Sequence, residues 1–156
     1  MEYIYTHTDG FNNILQPREG DLGFDLIAAE DPIIEDSYIE YNTKVKIEPK
    51  NGDTHLLIFP RSSISRTNLI LLNSPALIDN SYRGEIKLRF RYLPTISEII
   101  GLTGSFVKPI NQSKIYQKGD KIAQGVFFKG LNVRLVEVDY LGESVRNSGG
   151  FGSTGK

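Results

Sequence analysis

An aspartate followed three residues later by a tyrosine is the arrangement in this sequence best suited to chemistry on a flat ligand. Asp79 and Tyr82 lie between a short apolar run and a segment, Glu85–Phe90, that alternates polar and apolar residues. Because Asn80-Ser81 favour a turn, the sequence predicts a β-hairpin with Asp79 at its mouth. The tyrosine ring can pack against a ligand while the carboxylate polarises a water molecule. From these residues alone, a capping aspartate and a surface tyrosine are the simpler interpretation.

Four other stretches carry groups that suit an anionic ligand. Pro60–Ser65 ends an apolar strand and could open a helical turn at Ser62, with free amides, a hydroxyl and a guanidinium. Gly23–Leu26 supplies a second carboxylate, and Lys118–Gln124 is a turn that leads into a strand with a buried-looking glutamine. The Gly- and Ser-rich segment 141–156 predicts disorder, but its glycines could also let backbone amides converge on a phosphate. Each signal is weak alone.

Composition excludes several classes of function. The chain has 156 residues, which is enough for one domain with a sizeable core, and it has no cysteine for a disulfide or a thiolate metal site. A net charge of −1 argues against a nucleic-acid or membrane partner. Two distant histidines make Ser-His-Asp and His-metal sites weak hypotheses. With neither a long apolar window nor a signal pattern, the expected location is the cytoplasm.

The pattern of short apolar runs predicts an all-β fold. Gly, Pro and Asn separate the predicted strands, and no segment sustains a helical period over three turns. A sandwich, a jelly roll and a barrel all fit this pattern. The predicted strands lie within Glu2–Thr6, Tyr38–Ile47, His55–Phe59, Leu69–Leu72, Glu85–Phe90, Ile122–Phe128 and Val133–Val138.

Taken in order, the five stretches resemble the five motifs of the trimeric deoxyuridine triphosphatases (dUTPases). They read Gly-Phe-Asp-Leu, Pro-Arg-Ser-Ser, Leu-Ile-Asp-Asn-Ser-Tyr-Arg-Gly, Gly-Asp-Lys-Ile-Ala-Gln and Gly-Gly-Phe-Gly-Ser-Thr-Gly, and extend from residue 23 to 155. The resemblance implies a jelly-roll-like distorted β-barrel that forms a homotrimer, with the C-terminal arm closing over a neighbouring subunit's site. It also implies Mg²⁺-dependent cleavage of dUTP to dUMP and pyrophosphate, which keeps uracil out of DNA and supplies dUMP for dTMP synthesis.

The resemblance assigns a role to each matching residue. Asp79 activates the water that attacks the α-phosphate, and Tyr82 packs under the deoxyribose and excludes a 2′-hydroxyl. Asp25 supports the metal through water. The uracil edge meets Asn73, Leu77, Ile78 and Lys87; the phosphates meet Arg61, Ser62, Ser63 and Gln124, of which Arg61 and Ser62 join Asp79 in catalysis; and the arm brings Arg146, Phe151, Ser153 and Thr154 over the bound nucleotide.

The sequence departs from the family pattern in several places. Leu22 stands where alanine is usual, Gly125 where a larger apolar residue is common, and Ser74-Pro75 alters the entry to the predicted hairpin. We expect a barrel domain over 1–140, an apparent insertion near 93–113, and a flexible arm over 141–156. Such insertions occur in phage members, which suggests a phage-type enzyme acting in a host cytoplasm. The insertion could also bind a protein partner.

Two alternative functions remain open. A dCTP deaminase shares the fold and the trimer, but Asn80-Ser81-Tyr82 and the glycine-rich tail match dUTPases better. A regulatory protein that senses a nucleotide or docks a partner would not need both an intact Asp79 and an intact tail. The same observation argues against a purely structural jelly roll.

Overall fold

The computed structural model describes residues 4–8, 14–95, 110–131, 133–145 and 148. Within these residues the fold consists of strands and two short 3₁₀ turns, Ser62–Arg66 and Gln112–Lys114. No helix in this part of the chain is long and apolar enough to cross a membrane. In chain order the strands are β1 (Ile4–His7), β2 (Ile14–Leu15), β3 (Phe24–Ile27), β4 (Ile33–Ile34), β5 (Ile39–Asn42), β6 (Lys46–Pro49), β7 (Thr54–Pro60), β8 (Leu69–Leu71), β9 (Ala76–Ile78), β10 (Lys87–Tyr92) and β11 (Lys121–Lys129).

Two antiparallel sheets form the body of the molecule. One has five strands in the order β2-β3-β11-β7-β9, and the other has four in the order β4-β5-β10-β8. A separate pair joins β1 to β6. Non-consecutive strands are neighbours in both sheets, as in a jelly roll. The predicted all-β, jelly-roll-like fold is confirmed.

The core lies between the two sheets because their strands alternate buried and exposed side chains. In β10, Leu88 and Phe90 are buried while Lys87 and Arg89 are exposed. Leu56 and Ile58 of β7 join the same buried cluster from the other sheet. Tyr41 packs edge-on against Phe90, with ring centroids 5.4 Å apart. The shared buried cluster, to which both sheets contribute, holds the two sheets against each other.

The predicted hairpin around Asp79 is wrong. Strand β9 pairs with β7 in the five-stranded sheet, whereas β10 pairs with β5 and β8 in the four-stranded sheet. The segment 79–86 therefore crosses from one sheet to the other. Alternation of polar and apolar residues identifies a strand and its buried face, but it does not identify the neighbouring strand.

The predicted strand Val133–Val138 is also wrong: residues 133–138 join neither sheet. Their side chains are exposed, and Leu135 is 93% accessible. An apolar segment with β propensity forms a strand only where a sheet edge receives it, and the described part of this chain does not pair with it.

The division into a barrel and an arm stays a prediction. Residues 96–109 of the apparent insertion lie outside the described residues, as does most of 146–156.

Candidate functional site

A cleft of about 350 Å³ lies beside the crossing segment 79–86. It contains five of the residues that the sequence nominated for the base, the sugar and the water, together with four that it did not. The nominated residues are Leu77, Ile78, Asp79, Tyr82 and Lys87, and the others are Glu40, Glu85, Ile86 and Arg89. We call it the carboxylate cleft.

Internal hydrogen bonds hold the crossing segment in shape. The Tyr82 amide donates to the Asp79 carbonyl at 3.0 Å, and the Tyr82 hydroxyl donates to the Glu85 carbonyl at 2.9 Å. A Cβ on Gly84 would lie 2.4 Å from the Tyr82 hydroxyl oxygen, so only glycine lets the ring fold back over the segment. The exposed Asp79 and the Tyr82 ring are thus presented from one compact loop.

The turn after Asp79 is anchored to the start of β7. The Asn80 side-chain amide donates to the Asn51 carbonyl at 2.7 Å and to the Thr54 carbonyl at 3.0 Å. The Asn80 backbone amide donates to Nδ1 of His55 at 3.3 Å. Asp79 therefore sits on a turn whose position is set by another strand.

A buried glutamate organises the charged wall of the carboxylate cleft. Glu40 on β5 accepts from Arg89 Nε at 2.8 Å and from Lys87 Nζ at 3.3 Å. Burial raises the pKa of the Glu40 carboxyl, but the bonds from Arg89 and Lys87 outweigh burial and leave the pKa below its ordinary value. Lys87 is therefore engaged in an ion pair with Glu40.

A second cleft of about 800 Å³, here the cationic cleft, contains Arg61 and Gln124, two of the four groups nominated for the phosphates. Asp25, Arg61 and Gln124 line it together with Arg18 and Lys121. Both oxygens of Asp25 are occupied: Oδ1 lies 2.8 Å from Arg61 Nε and Oδ2 lies 3.0 Å from Lys121 Nζ. Asp25 therefore holds two cationic side chains at the wall of this cleft.

The predicted helical turn at Ser62 is a 3₁₀ turn, Ser62–Arg66, that directly follows Arg61. The Ile64 amide donates to the Arg61 carbonyl at 3.0 Å, and Arg61 Nη1 donates to Ser63 Oγ at 3.5 Å. Ser62 is exposed beside them. Gln124, which looked buried in the sequence, is exposed, and its Nε2 donates to the Pro60 carbonyl at 3.4 Å. The register sets it opposite Asp25.

The two clefts lie at opposite ends of the five-stranded sheet. Pairing of Leu56 with Ile78 puts Asp79 beside His55, at the start of β7. Arg61 follows the last residue of that strand, about six residues further on. At about 3.3 Å per residue, Asp79 and Arg61 are on the order of 20 Å apart. One chain does not bring them to one reacting centre.

The described residues do not form a magnesium cage, since no group of three or more acidic or histidine side chains is gathered among them. Both Asp25 oxygens already bind cationic side chains. The donor set fits a magnesium ion held by a ligand's phosphates and water, with at most an indirect contact to Asp25.

Asn73, a nominated residue that the structure describes, lies outside both clefts. It precedes β9, is exposed, and has a positive φ of 52°. Arg146, Phe151, Ser153 and Thr154 lie outside the described residues.

Sequence reasoning missed Glu40, Arg89, Lys121 and His55. Glu40 and Arg89 are 49 positions apart and meet only through strand pairing, so no local spacing connects them. Lys121 sits inside the Gly-Asp-Lys-Ile-Ala-Gln stretch and could have been nominated from its charge. No local signal in the sequence points to His55, because it meets the turn after Asp79 only through the pairing of β7 with β9.

Solved structures that share this fold include two phage dUTPases. The dUTPase of Staphylococcus bacteriophage 80alpha, as a point mutant with dUpNHpp, superposes with a TM-score of 0.76 at 22% identity and covers 99% of both chains. A point mutant of the dUTPase from phage phi11 of S. aureus, which coordinates a structural Mg(II) ion, gives a TM-score of 0.68 at 18% identity over 90% of this chain and 99% of that one.

Curated relatives share more of the sequence. The deoxyuridine 5′-triphosphate nucleotidohydrolase of Helicobacter pylori strain Shi470 is 35% identical over 150 residues, which cover 92% of this chain and 90% of the relative. The enzyme of the same name from Clostridium kluyveri is 37% identical over 141 residues, covering 88% and 85%. The dUTPase family model matches residues 11–93, which contain both Asp79 and Arg61. This chain belongs to the dUTPase family.

Proposed function

We propose that the carboxylate cleft and the cationic cleft are two parts of one dUTP-hydrolysing site, and that Asp79 activates its water. As a member of the dUTPase family, the protein is a dUTP diphosphatase, which converts dUTP and water to dUMP and pyrophosphate. The observation that carries the proposal is that neither cleft contains both Asp79 and Arg61. Asp79 lines one cleft and Arg61 lines the other. The carboxylate cleft supplies the exposed Asp79, and the cationic cleft supplies Arg61 and Lys121.

In the proposed mechanism Asp79 accepts a proton from water as the water oxygen attacks the α-phosphorus. The bond from that phosphorus to the oxygen bridging to the β-phosphorus breaks, and pyrophosphate leaves. Phosphoryl transfer depends mainly on positioning and charge neutralisation, so a placed water and cationic groups suffice. The base lies against the strand ending in Leu77 and Ile78, with Tyr82 under the sugar and Lys87 at the base edge.

The phosphates bind the cationic cleft and the turn that follows it. Arg61 supplies a guanidinium fork, Ser62 and Ser63 supply hydroxyls and free amides, and Gln124 supplies an amide. Asp25, paired with Arg61 and Lys121, keeps these cations in place. Arg146, Ser153 and Thr154 of the arm complete the phosphate contacts, and Phe151 covers the uracil.

We infer that Mg²⁺ enters with the triphosphate and neutralises part of its charge. The support is chemical: Mg²⁺ keeps several waters and binds nucleotide phosphates with few protein ligands. The phage phi11 dUTPase, related in fold, coordinates a structural Mg(II) ion. Asp25 is this chain's candidate for a contact through water.

We infer that the working unit is a homotrimer in which neighbouring chains share each site and each arm closes over a neighbour's site. Two observations support self-association. The clefts lie on the order of 20 Å apart along β7. Leu131 and the extended residues 133–138 expose apolar side chains that a neighbouring chain could cover, including Val133 at 74% and Leu135 at 93%.

Further inferences concern the type of enzyme, its location and its partners. The fold likeness to phage enzymes favours a phage-type member acting in a host cytoplasm. The net charge of −1 gives no reason to expect a nucleic-acid or membrane partner. A protein partner at the 93–113 insertion stays a prediction.

The experiment that tests the function is incubation with each deoxynucleoside triphosphate and with UTP in the presence of Mg²⁺, followed by separation of the products. We expect dUMP and pyrophosphate from dUTP, and no dUTP from dCTP, which a deaminase would produce. Asp79→Asn should lower kcat by about 10²–10⁴ while a non-hydrolysable dUTP analogue still binds. Near-normal turnover by Asp79→Asn would show that another group activates the water.

A further inference from the structure

His55 lies next to the proposed water-activating carboxylate, on a different strand. It is the second residue of β7, and the pairing of Leu56 with Ile78 places it opposite Asp79. The Asn80 backbone amide donates to its Nδ1 at 3.3 Å. The imidazole is therefore hydrogen-bonded to the residue that directly follows Asp79.

The imidazole is held from its opposite edge and from one face. Its Cδ2 and Nε2 atoms lie against Gly130, where an added Cβ would stand 2.7 and 2.8 Å away. The Phe128 ring packs at a centroid distance of 5.6 Å with the planes tilted by 34°. The ring cannot move away from the turn without displacing one of these neighbours. Its orientation is therefore fixed by β11 and the residue after it.

Only one form of histidine suits this position. The amide proton needs a lone pair on Nδ1, so this hydrogen bond requires the imidazole tautomer that carries its proton on Nε2. The Asn80 side chain independently ties the same turn to the Asn51 and Thr54 carbonyls. The backbone amide thus gives a second anchor, at the peptide group that joins Asp79 to Asn80.

We propose that His55 is a positioning residue: as the Nε2–H tautomer it accepts the Asn80 amide and so fixes the direction in which Asp79 presents its carboxylate. The proposal rests on the proposed role of Asp79. A small displacement of a positioned group can reduce turnover by up to about 10²-fold. Loss of the bond should therefore lower kcat much more than it raises KM.

The first test compares two substitutions at position 55. His55→Phe keeps a ring against Phe128 but removes the acceptor, and should lower kcat about 10–100-fold with KM changed only a few-fold. His55→Asn places an oxygen at the position of Nδ1 and should restore most of the lost kcat. Equal impairment of both variants, or normal kcat in His55→Phe, overturns the proposal.

A substitution away from the turn covers the case in which His55→Phe does not fold. Gly130→Ala should force the imidazole out of its present orientation against Asn80 and reproduce the kcat loss, whereas Gly52→Ala, with no atom within 4 Å of its added Cβ, should not. Equal kcat in the two alanine variants overturns the proposal.

A spectroscopic readout is independent of activity. The chain has two histidines, so ¹⁵N-histidine spectra of the full protein and of His7→Gln assign the His55 signals. We expect the Nε2–H tautomer at neutral pH, and an Nδ1–H tautomer would overturn the proposal. Asp79→Asn, assayed in parallel, separates the two hypotheses. If Asp79→Asn is fully active, the proposed mechanism fails. If Asp79→Asn is impaired while His55→Phe is not, only the role of His55 fails.

Discussion

In each cleft, one carboxylate holds two cationic side chains in place. Asp25 binds Arg61 and Lys121 on its two oxygens, and Glu40 does the same for Arg89 and Lys87. A carboxylate between two cations fixes their direction and lowers the cost of bringing like charges together. In the proposed site, Asp25 keeps Arg61 and Lys121 in place for a bound triphosphate.

The Tyr82 ring gives a prediction about selectivity. If the ring excludes a 2′-hydroxyl by filling the space beneath the sugar, Tyr82→Ala should reduce the ratio of kcat/KM for dUTP over UTP by about 10–100-fold. Tyr82→Phe is the matched control, because it loses only the hydroxyl bond to the Glu85 carbonyl and keeps the ring. Its ratio should stay within about threefold of wild type. An unchanged ratio in Tyr82→Ala would mean that the sugar lies elsewhere.

The sequence could nominate reactive residues but not the partners that orient them. Asp79, Tyr82 and Arg61 stand out because their types and neighbours fit a site. The bonds that orient them come from segments far away along the chain, such as that from Asn80 to His55, 25 positions away. Such contacts depend on strand register, which a residue pattern does not determine.

Among the elements, the pairing of β5 with β10 connects the fold to the carboxylate cleft. The register sets Glu40 directly opposite Arg89, so the ion pair also joins the two strands. Opposite charges at directly paired positions stabilise a sheet. The same pair therefore contributes to stability and to the cleft wall.

This pair predicts a pH-dependent stability. The pKa of Glu40 is lower in the folded state than in the unfolded state. Its contribution to the free energy of unfolding is therefore complete above the unfolded pKa of about 4.3, and it is lost as the pH falls through the folded pKa. At neutral pH, the free energy of unfolding of Glu40→Gln should be lower than that of wild type by on the order of 1 kcal/mol. The effect is this small because Lys87 and Arg89 are half exposed.

Denaturant titrations from about pH 7 to about pH 3 would measure this difference. The difference in the free energy of unfolding between wild type and Glu40→Gln should become smaller as the pH falls below about 4. The exposed Glu48 on β6 provides the control, since Glu48→Gln should differ little from wild type at any pH. A constant gap for Glu40→Gln would show that its charge is not what stabilises the pair.

Individual strands were more predictable than their partners. Alternation in Glu85–Phe90 and the apolar run His55–Phe59 correspond to β10 and β7, since burial of one face leaves a period of two in the sequence. The hairpin prediction failed because a turn-forming pair can also lie on a connection between sheets. Val133–Val138 has the composition of a strand but forms no pairing within the described part of one chain.

At the scale of the whole molecule, the fold determines where a complete site can form. Strand β7 carries the turn anchor for Asp79 at its first residues and leads into Arg61 at its last. A strand held in a five-stranded sheet does not bend to bring its ends together, which is why we propose that the two clefts meet between copies of the chain. Sequence composition predicted the fold class, whereas the proposed homotrimer follows only from the order of the motifs.

The proposed site, shared between neighbouring chains, predicts that two inactive variants restore activity when they assemble together. Asp79→Asn lacks the carboxylate and Arg61→Ala lacks the guanidinium, and each should be nearly inactive alone. When they are refolded together in equal amounts, a site that takes its Asp79 from one chain and its Arg61 from another finds both intact in roughly a quarter of cases. Activity should recover toward that fraction of wild type.

Two controls make this recovery interpretable. Mixing the two variants after each has folded should give no activity unless subunits exchange, and an affinity tag on one variant shows whether mixed assemblies have formed. A site contained in one chain recovers nothing, because every chain then carries one lesion. Verified mixed assemblies without activity would exclude a site shared between chains, yet they would leave membership of the dUTPase family untouched, since that rests on sequence and fold.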